Sequence, residues 1–104
     1  MATVLNTLND FNAFLSAHNL VVVDFSASWC GPCKRIAPFF EKLVSKYPNV
    51  SFAKVDVDEN ADAAAQESVV SMPTFRFYKN GKNVNQLVGA SEDNLDKLVS
   101  QLSS

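Results

Sequence analysis

The segment that most constrains the fold is a near-continuous run of β-forming, mostly apolar residues from Leu20 to Ala27. A strand with so few polar positions must be covered on both faces by other elements. The run leads through a short loop into a helical pattern that places Ile36, Phe40 and Leu43 on one stripe. This succession predicts an α/β fold whose central strand is packed between helices.

The remaining periodicities predict elements in the order βαβαβαββα. Asn9 is expected to cap the first helix, Asp58 or Asn60 the third, and Pro38 to kink the second. The dipeptide Asn80-Gly81 favours a hairpin. Predicted strands are 3–5, 20–27, 50–57, 74–79 and 82–88; predicted helices include 33–47, one ending near 67, and one beginning at Ser91. Helical crossovers plus a hairpin predict a mixed five-stranded sheet flanked on both faces by four helices, in one domain of residues 1–104.

Composition narrows the classes of function. The net charge of −2 among 104 residues gives no electrostatic reason to expect nucleic acid as a partner. No apolar stretch approaches the roughly 20 residues that span a bilayer, so no membrane segment is expected. The first residues lack the pattern of a secretory signal, and we therefore expect a cytoplasmic protein.

The two cysteines of the chain, Cys30 and Cys33, lie in the run Trp29-Cys30-Gly31-Pro32-Cys33-Lys34. A closed zinc site needs about four ligands, and His18 is the one histidine. Haem attachment needs histidine where Lys34 stands. A purely structural disulfide would close a tiny loop and constrain the unfolded chain little. These considerations favour a dithiol that cycles between reduced and oxidised forms, with no metal bound.

The two thiols are expected to be unequal. Cys30 lies between a strand and a helix, where free N–H groups and the helix dipole favour a thiolate, so we expect an exposed attacking thiol. Cys33 lies a turn further on and is expected to be the more buried. Gly31 permits a tight bend, and Pro32 stiffens a helix start. Lys34 either assists the thiolate or is a solvated helix residue.

The chain resembles the thioredoxin family over essentially its full length. The active-site run matches the family motif at each position, and four flanking segments match in the right order. These flanks are Val23-Asp24-Phe25, Lys54-Val55-Asp56, Met72-Pro73-Thr74 and Val88-Gly89-Ala90. Several segments in order are far more specific than an isolated C-x-x-C.

The resemblance implies a thiol-disulfide oxidoreductase that carries electrons to protein disulfides and maintains cell redox homeostasis. Cys30 would attack a substrate disulfide, and Cys33 would resolve the mixed disulfide. An NADPH-dependent thioredoxin reductase would restore the dithiol, so the protein itself would need no bound cofactor. Its partners would be that reductase and disulfide-containing proteins. The protein itself is expected to be a monomer.

Two charges in the apolar strands have alternative interpretations. Asp24 interrupts a run of valines, and burial of its carboxyl would raise its pKa. It is either a core residue satisfied by hydrogen bonds or, as the resemblance implies, the general base for Cys33. Lys54 either tunes Asp24 from the neighbouring strand or extends its ammonium group to solvent.

A docking surface is predicted around the cysteine loop. The resemblance implies a cis Met72–Pro73 bond, with the backbone of Met72 free to pair with an extended substrate. The alternatives are a core methionine, a strand-start proline and, for Gly89, a required backbone angle. Residues expected to form a flat apolar patch are Trp29, Gly31, Pro32, Met72, Pro73, Gly89 and Ala90.

Two other classes of function stay open at this point. One is a binding subunit that holds a partner only when its dithiol is reduced, either alone or as a secondary role. The other is a secretory disulfide oxidase or isomerase. Pro32, where such enzymes usually carry histidine, and the missing signal argue against the second.

Overall fold

The computed structural model describes all of residues 1–104, and the elements follow the predicted order. The strands are β1 (Thr3–Val4), β2 (Leu20–Ser26), β3 (Ser51–Asp56), β4 (Thr74–Lys79) and β5 (Lys82–Val88). The helices are α1 (Leu8–Ala17), α2 (Gly31–Lys46), α3 (Ala61–Gln66) and α4 (Glu92–Ser103). The bounds of β4 and β5 and the starts of β1 and β2 are as predicted, and the other predicted ends differ by one or two residues.

The five strands form one mixed sheet in the order β1-β3-β2-β4-β5. β3 runs parallel to β1 and β2, whereas β4 is antiparallel to both β2 and β5. Phe25, near the end of β2, therefore pairs with Thr74 at the start of β4, and Thr74 pairs with Val88 at the end of β5. The loops after β2, before β4 and after β5 consequently meet at one end of the sheet.

Alternation along the strands divides the core between the two faces of the sheet. One face packs against α2 and α4 through a cluster that includes Val22, Ile36, Phe40, Phe52, Phe75, Phe77, Leu95 and Val99. The other packs against α1 and α3 through Phe11, Val21, Val23, Phe25, Ala53, Val55, Ala63 and Tyr78. The prediction of helices on both faces is confirmed. Each fully buried large side chain contributes about 1.5–3 kcal/mol relative to exposure.

The structure corrects the predicted cap of α1 and specifies the caps of α3 and α4. Asn9 is not the cap of α1; Thr7 is, and its hydroxyl accepts the Asp10 N–H at 3.0 Å. The helix begins earlier because Leu8 already packs against the core. Asn60 rather than Asp58 caps α3, and Ser91 caps α4. α2 begins at Gly31 and continues through Pro38 as one element.

The hairpin between β4 and β5 has the predicted turn. Asn80 and Gly81 have φ values of 53° and 81°. Two successive positive φ values are typical of a type I′ turn, which matches the twist of the flanking strands. Most of β5, at the edge of the sheet, is exposed to solvent.

Candidate active site

The cysteine pair lies where β2 gives way to α2. Cys30 is the N-cap of α2, and its Sγ accepts the backbone N–H of Cys33 at 3.2 Å. Pro32 stands in the first turn, where its missing N–H leaves no helical hydrogen bond unmade. A disulfide joins Cys30 to Cys33, whose Cα atoms are 5.3 Å apart. The chain has no free cysteine.

The predicted difference in exposure between the two thiols is wrong for this oxidised state. Cys30 is 5% exposed and Cys33 is 4% exposed. Both lie in a small apolar cluster with Ala27, against which Val57 and Met72 pack. Exposure therefore does not separate the two cysteines; their positions relative to the start of α2 do.

Asp24 is a buried acid on the sheet face that α2 covers. It is 1% exposed, and its Oδ1 has no hydrogen-bond partner. Burial raises the pKa of Asp24 from 3.8 to about 7, while the Lys54 ammonium acts in the opposite direction and Glu41 adds to the rise. This carboxyl can hold or release a proton near neutral pH. The reading as a core aspartate with satisfied hydrogen bonds does not fit the unpartnered oxygen.

Lys54 lies beside Asp24 on the neighbouring strand, as the interpretation that Lys54 tunes Asp24 required. The parallel register of β2 and β3 aligns the two residues directly. No ion pair within 4 Å joins them, and Lys54 is half-buried. Its charge thus acts on Asp24 across a gap rather than through a direct contact.

Trp29 is a solvent-facing cover next to the cysteines. It is 66% exposed, and its indole Nε1 donates a hydrogen bond to Asp58 Oδ2 at 2.9 Å. Sequence reasoning missed Asp58 as a site residue, because nothing in a carboxylate 29 positions away indicates an indole partner. Lys34 is exposed, in keeping with a solvated helix residue.

The segments predicted for docking come together at this end of the sheet. The Met72–Pro73 bond is cis, as the resemblance implied. Gly89 has a φ of 105° and donates its N–H to the Pro73 carbonyl at 2.9 Å. The backbone N–H and C=O of Met72 make no hydrogen bond within the chain. Gly31, Pro32 and Ala90 are exposed around them.

Comparison with known proteins decides the family, because the Thioredoxin family model matches residues 2–103. The chain belongs to the thioredoxin family. It is 48% identical over 104 residues to thioredoxin of Gallus gallus, with 98% of this chain and 99% of that protein covered. The thioredoxin family fold predicted above is confirmed.

Solved structures of thioredoxins agree closely with this fold. A Plasmodium falciparum thioredoxin is similar with a TM-score of 0.94 and 44% identity, over 96% of this chain and 98% of that one. Oxidised mitochondrial thioredoxin 3 of Saccharomyces cerevisiae is similar with a TM-score of 0.92 and 39% identity, over 96% and 94%.

Membership of the thioredoxin family establishes the class of chemistry. With a disulfide-bonded cysteine pair at its active site, the protein is a thiol-disulfide oxidoreductase. Proteins of the family bind no cofactor. No cluster of three or more histidine, cysteine or acidic residues is placed to hold a metal ion. None of the helices is long and apolar enough to cross a membrane.

Proposed function

We propose that the protein is a protein-disulfide reductase in which Cys30 is the nucleophile and Cys33 the resolving thiol. In the reduced protein the Cys30 thiolate attacks one sulfur of a substrate disulfide, so that a mixed disulfide forms and the other substrate sulfur leaves and takes a proton. Cys33 then attacks Cys30, releases the second substrate thiol and forms the Cys30–Cys33 disulfide. Two electrons pass to the substrate.

The observation that carries this assignment is the hydrogen bond from the Cys33 N–H to Cys30 Sγ. It places the sulfur of Cys30 at the start of α2, where unpaired N–H groups and the helix dipole favour negative charge. Cys33 lies inside the first turn, so its sulfur is not at the helix start where these groups act. The thiolate is therefore favoured on Cys30.

Asp24 is the proposed proton acceptor for Cys33 during resolution. Its unpartnered oxygen and its pKa of about 7 suit a group that exchanges protons at neutral pH. Lys54 is the proposed tuning residue, because its charge lowers the pKa of Asp24 and so opposes the effect of burial.

Substrates are proposed to bind as extended segments across the docking surface. The free backbone N–H and C=O of Met72 support this, since they can pair with a strand laid beside them. The exposed indole of Trp29 gives the surface an apolar side. The other residues proposed to contact the segment are Gly31, Pro32, Gly89 and Ala90, and also Pro73, which is buried rather than exposed as the predicted patch required.

The proposed partners are disulfide-containing proteins and an NADPH-dependent thioredoxin reductase that returns two electrons to the Cys30–Cys33 disulfide. We further propose that the protein acts as a monomer in the cytoplasm, where it transports electrons for redox homeostasis. The yeast relative is mitochondrial, so subcellular fractionation is the direct check, and recovery in mitochondria would contradict the cytoplasmic assignment.

An insulin-reduction assay with NADPH and thioredoxin reductase tests the reductase activity. The wild-type protein is expected to reduce insulin, Cys30→Ser to be inactive, and Cys33→Ser to trap a mixed disulfide through Cys30. A mixed disulfide trapped through Cys33 in the Cys30→Ser variant alone would reverse the two roles. Binding to target proteins without turnover would instead indicate a redox-dependent binding partner.

The role of Asp24 is tested separately by Asp24→Asn. Because asparagine cannot accept the Cys33 proton, resolution of the mixed disulfide is expected to slow by roughly 10²-fold at pH 7. Rapid quenching with acid measures the lifetime of the mixed disulfide. If the mixed disulfide has the same lifetime in Asp24→Asn as in the wild type at every pH from 6 to 9, Asp24 has no part in the mechanism.

A further inference from the structure

We propose that a small cavity beside Met72 is a side-chain subsite that selects substrates carrying a branched aliphatic residue near the disulfide. The cavity has a volume of about 100 Å³ and lies between the α3–β4 segment and the end of β5. Its lining includes Val70, Ser71, Thr74, Arg76, Gln86 and Val88. The inference rests on the proposed reductase function and adds a preference among its substrates.

The cavity is continuous with the proposed docking surface at two points. Ser71 lines the cavity and directly precedes Met72, which packs against the cysteine cluster. Val88 lines it from the other side and directly precedes Gly89, whose N–H binds the Pro73 carbonyl. An extended segment that pairs with Met72 therefore passes the mouth of the cavity.

Arg76 is the one charged residue of the cavity lining, and its guanidinium is already paired. Arg76 donates to the Glu67 carbonyl oxygen at 2.8 Å and to Gln86 Oε1 at 2.7 Å. Tyr78 donates its hydroxyl to Glu67 Oε1 at 2.5 Å. The Arg76 and Glu67 side chains are 12% and 16% exposed, and 3.9 Å separates Arg76 Nη1 from Glu67 Oε1. A charged ligand group would find no free counter-charge here, and burying one without a partner is costly.

The rim of the cavity carries two exposed valines beside the exposed polar residues Ser68, Ser71 and Gln86. Val70 is 87% exposed and Val88 is 55% exposed. Isolated surface valines are ordinary, but these two border one cavity. Covering them with an aliphatic side chain removes apolar surface from water on both partners, which favours binding.

The distance along the substrate follows from the same contacts. Residues of an extended chain are spaced by about 3.3 Å, and alternate side chains point the same way. Met72 faces the cysteine pair, and its neighbour Ser71 lines the cavity. The selected residue thus lies within two positions of the cysteine that Cys30 attacks.

The test uses two disulfide-linked peptide dimers that differ only in carrying leucine or asparagine two positions before and after the cysteine. Prereduced protein is mixed with each peptide, quenched with acid and analysed by chromatography for the second-order rate constant. We expect the leucine peptide to be reduced roughly tenfold faster. The double variant Val70→Thr/Val88→Thr, which keeps the branched shape but replaces one methyl group of each valine by a hydroxyl, is expected to lower that ratio to roughly twofold.

Val84→Thr is the matched control. Val84 lies on the same strand as Val88, is 54% exposed and is not part of the cavity lining. For this variant, the ratio of the rate constants for the leucine and asparagine peptides is expected to equal that of the wild type. Equal rates for the two peptides with the wild-type protein, or an unchanged ratio in the double variant, would overturn the subsite alone. Failure of the wild-type protein to reduce either peptide would overturn the reductase function as well.

Discussion

At the scale of single residues, Asp24 is a buried acid in the middle of the sheet. It lies between Val23 and Phe25 in the central strand, and both neighbours are fully buried. Its pKa of about 7 results first from that burial. An ionised carboxylate at this position opposes folding, so the protein carries a destabilising group whose retention the proposed proton transfer explains.

The first prediction concerns the pH dependence of stability. In the unfolded chain Asp24 loses its proton near pH 3.8, whereas in the folded protein it keeps it to about pH 7. The unfolded state therefore binds fewer protons in this window, and the free energy of unfolding falls as pH rises through it. The contribution amounts to roughly 4 kcal/mol.

Urea denaturation of the oxidised protein at pH 4.5 and pH 8 measures this difference. The wild type is expected to lose stability over the interval, and Asp24→Asn to lose less, because asparagine does not ionise. Parallel losses in the two proteins would show that Asp24 is ionised throughout the interval in the folded state.

The candidate site was predictable where a residue is chemically unusual for its place in the sequence. Cys30 and Cys33 form a close pair without other thiols, and Asp24 stands among valines. Asp58 and Glu67 were not predictable, because each is an ordinary surface-type acid in the sequence. Their partners Trp29 and Tyr78 are brought to them only by tertiary packing.

At the scale of elements, local chemistry determined most boundaries. The hairpin strands were located to the residue because Asn80 and Gly81 occupy conformations with positive φ that few residues adopt. The start of α2 was less predictable. Cys30 serves as its cap through a sulfur acceptor, whereas serine, threonine, aspartate and asparagine are the usual signals.

The second prediction compares two glycine-to-alanine changes. At Gly81, where φ is 81°, an added Cβ meets no atom within 4 Å, so the cost is purely conformational. Gly81→Ala is expected to lower the free energy of unfolding by about 1 kcal/mol. Gly31, in the first turn of α2, has room for a Cβ 3.6 Å from Arg35 Nη1.

Gly31→Ala is the matched control, because the same atom is added without a change of backbone region. It is expected to leave stability unchanged or raise it by about 0.5 kcal/mol. Thermal or urea unfolding of both variants measures the difference. Equal effects at the two positions would argue against a strained conformation at residue 81.

At the scale of the whole molecule, ionisable groups in the two layers limit stability at different pH values. On the α2 and α4 side, Asp24 lowers the free energy of unfolding as pH rises from about 4 to about 7, and the loss persists above pH 7. Tyr78 lies in the cluster on the α1 and α3 side, where burial first and Glu67 second raise its pKa far above the usual 10. The chain topology rather than the local sequence sets these pKa shifts. Lys54 and Glu41 act on Asp24 from β3 and α2, and Glu67 acts on Tyr78 from the end of α3.

The third prediction follows from Tyr78. Above pH 10 the unfolded chain releases the Tyr78 proton while the folded protein retains it, so the free energy of unfolding falls as pH rises. Tyr78→Phe removes this dependence, and the slope of stability between pH 10 and pH 11.5 is expected to be shallower than in the wild type. Its stability at pH 7 is expected to fall by about 1–3 kcal/mol, because Glu67 loses a donor.

Tyr47→Phe provides the comparison, since it removes the other tyrosine of the chain. Guanidinium denaturation across the alkaline range measures both variants. A wild-type slope retained in Tyr78→Phe would mean that this hydroxyl ionises equally in the folded and unfolded states.

The central position of β2 also has a mechanical consequence. While a mixed disulfide exists, a folded substrate that moves will pull on Cys30, and the force passes into the backbone just after β2. β2 is hydrogen-bonded along its length to β3 on one side and β4 on the other. A pull along the strand loads both ladders in shear, with many bonds sharing the tension. The protein can therefore hold its shape while the attached substrate deforms.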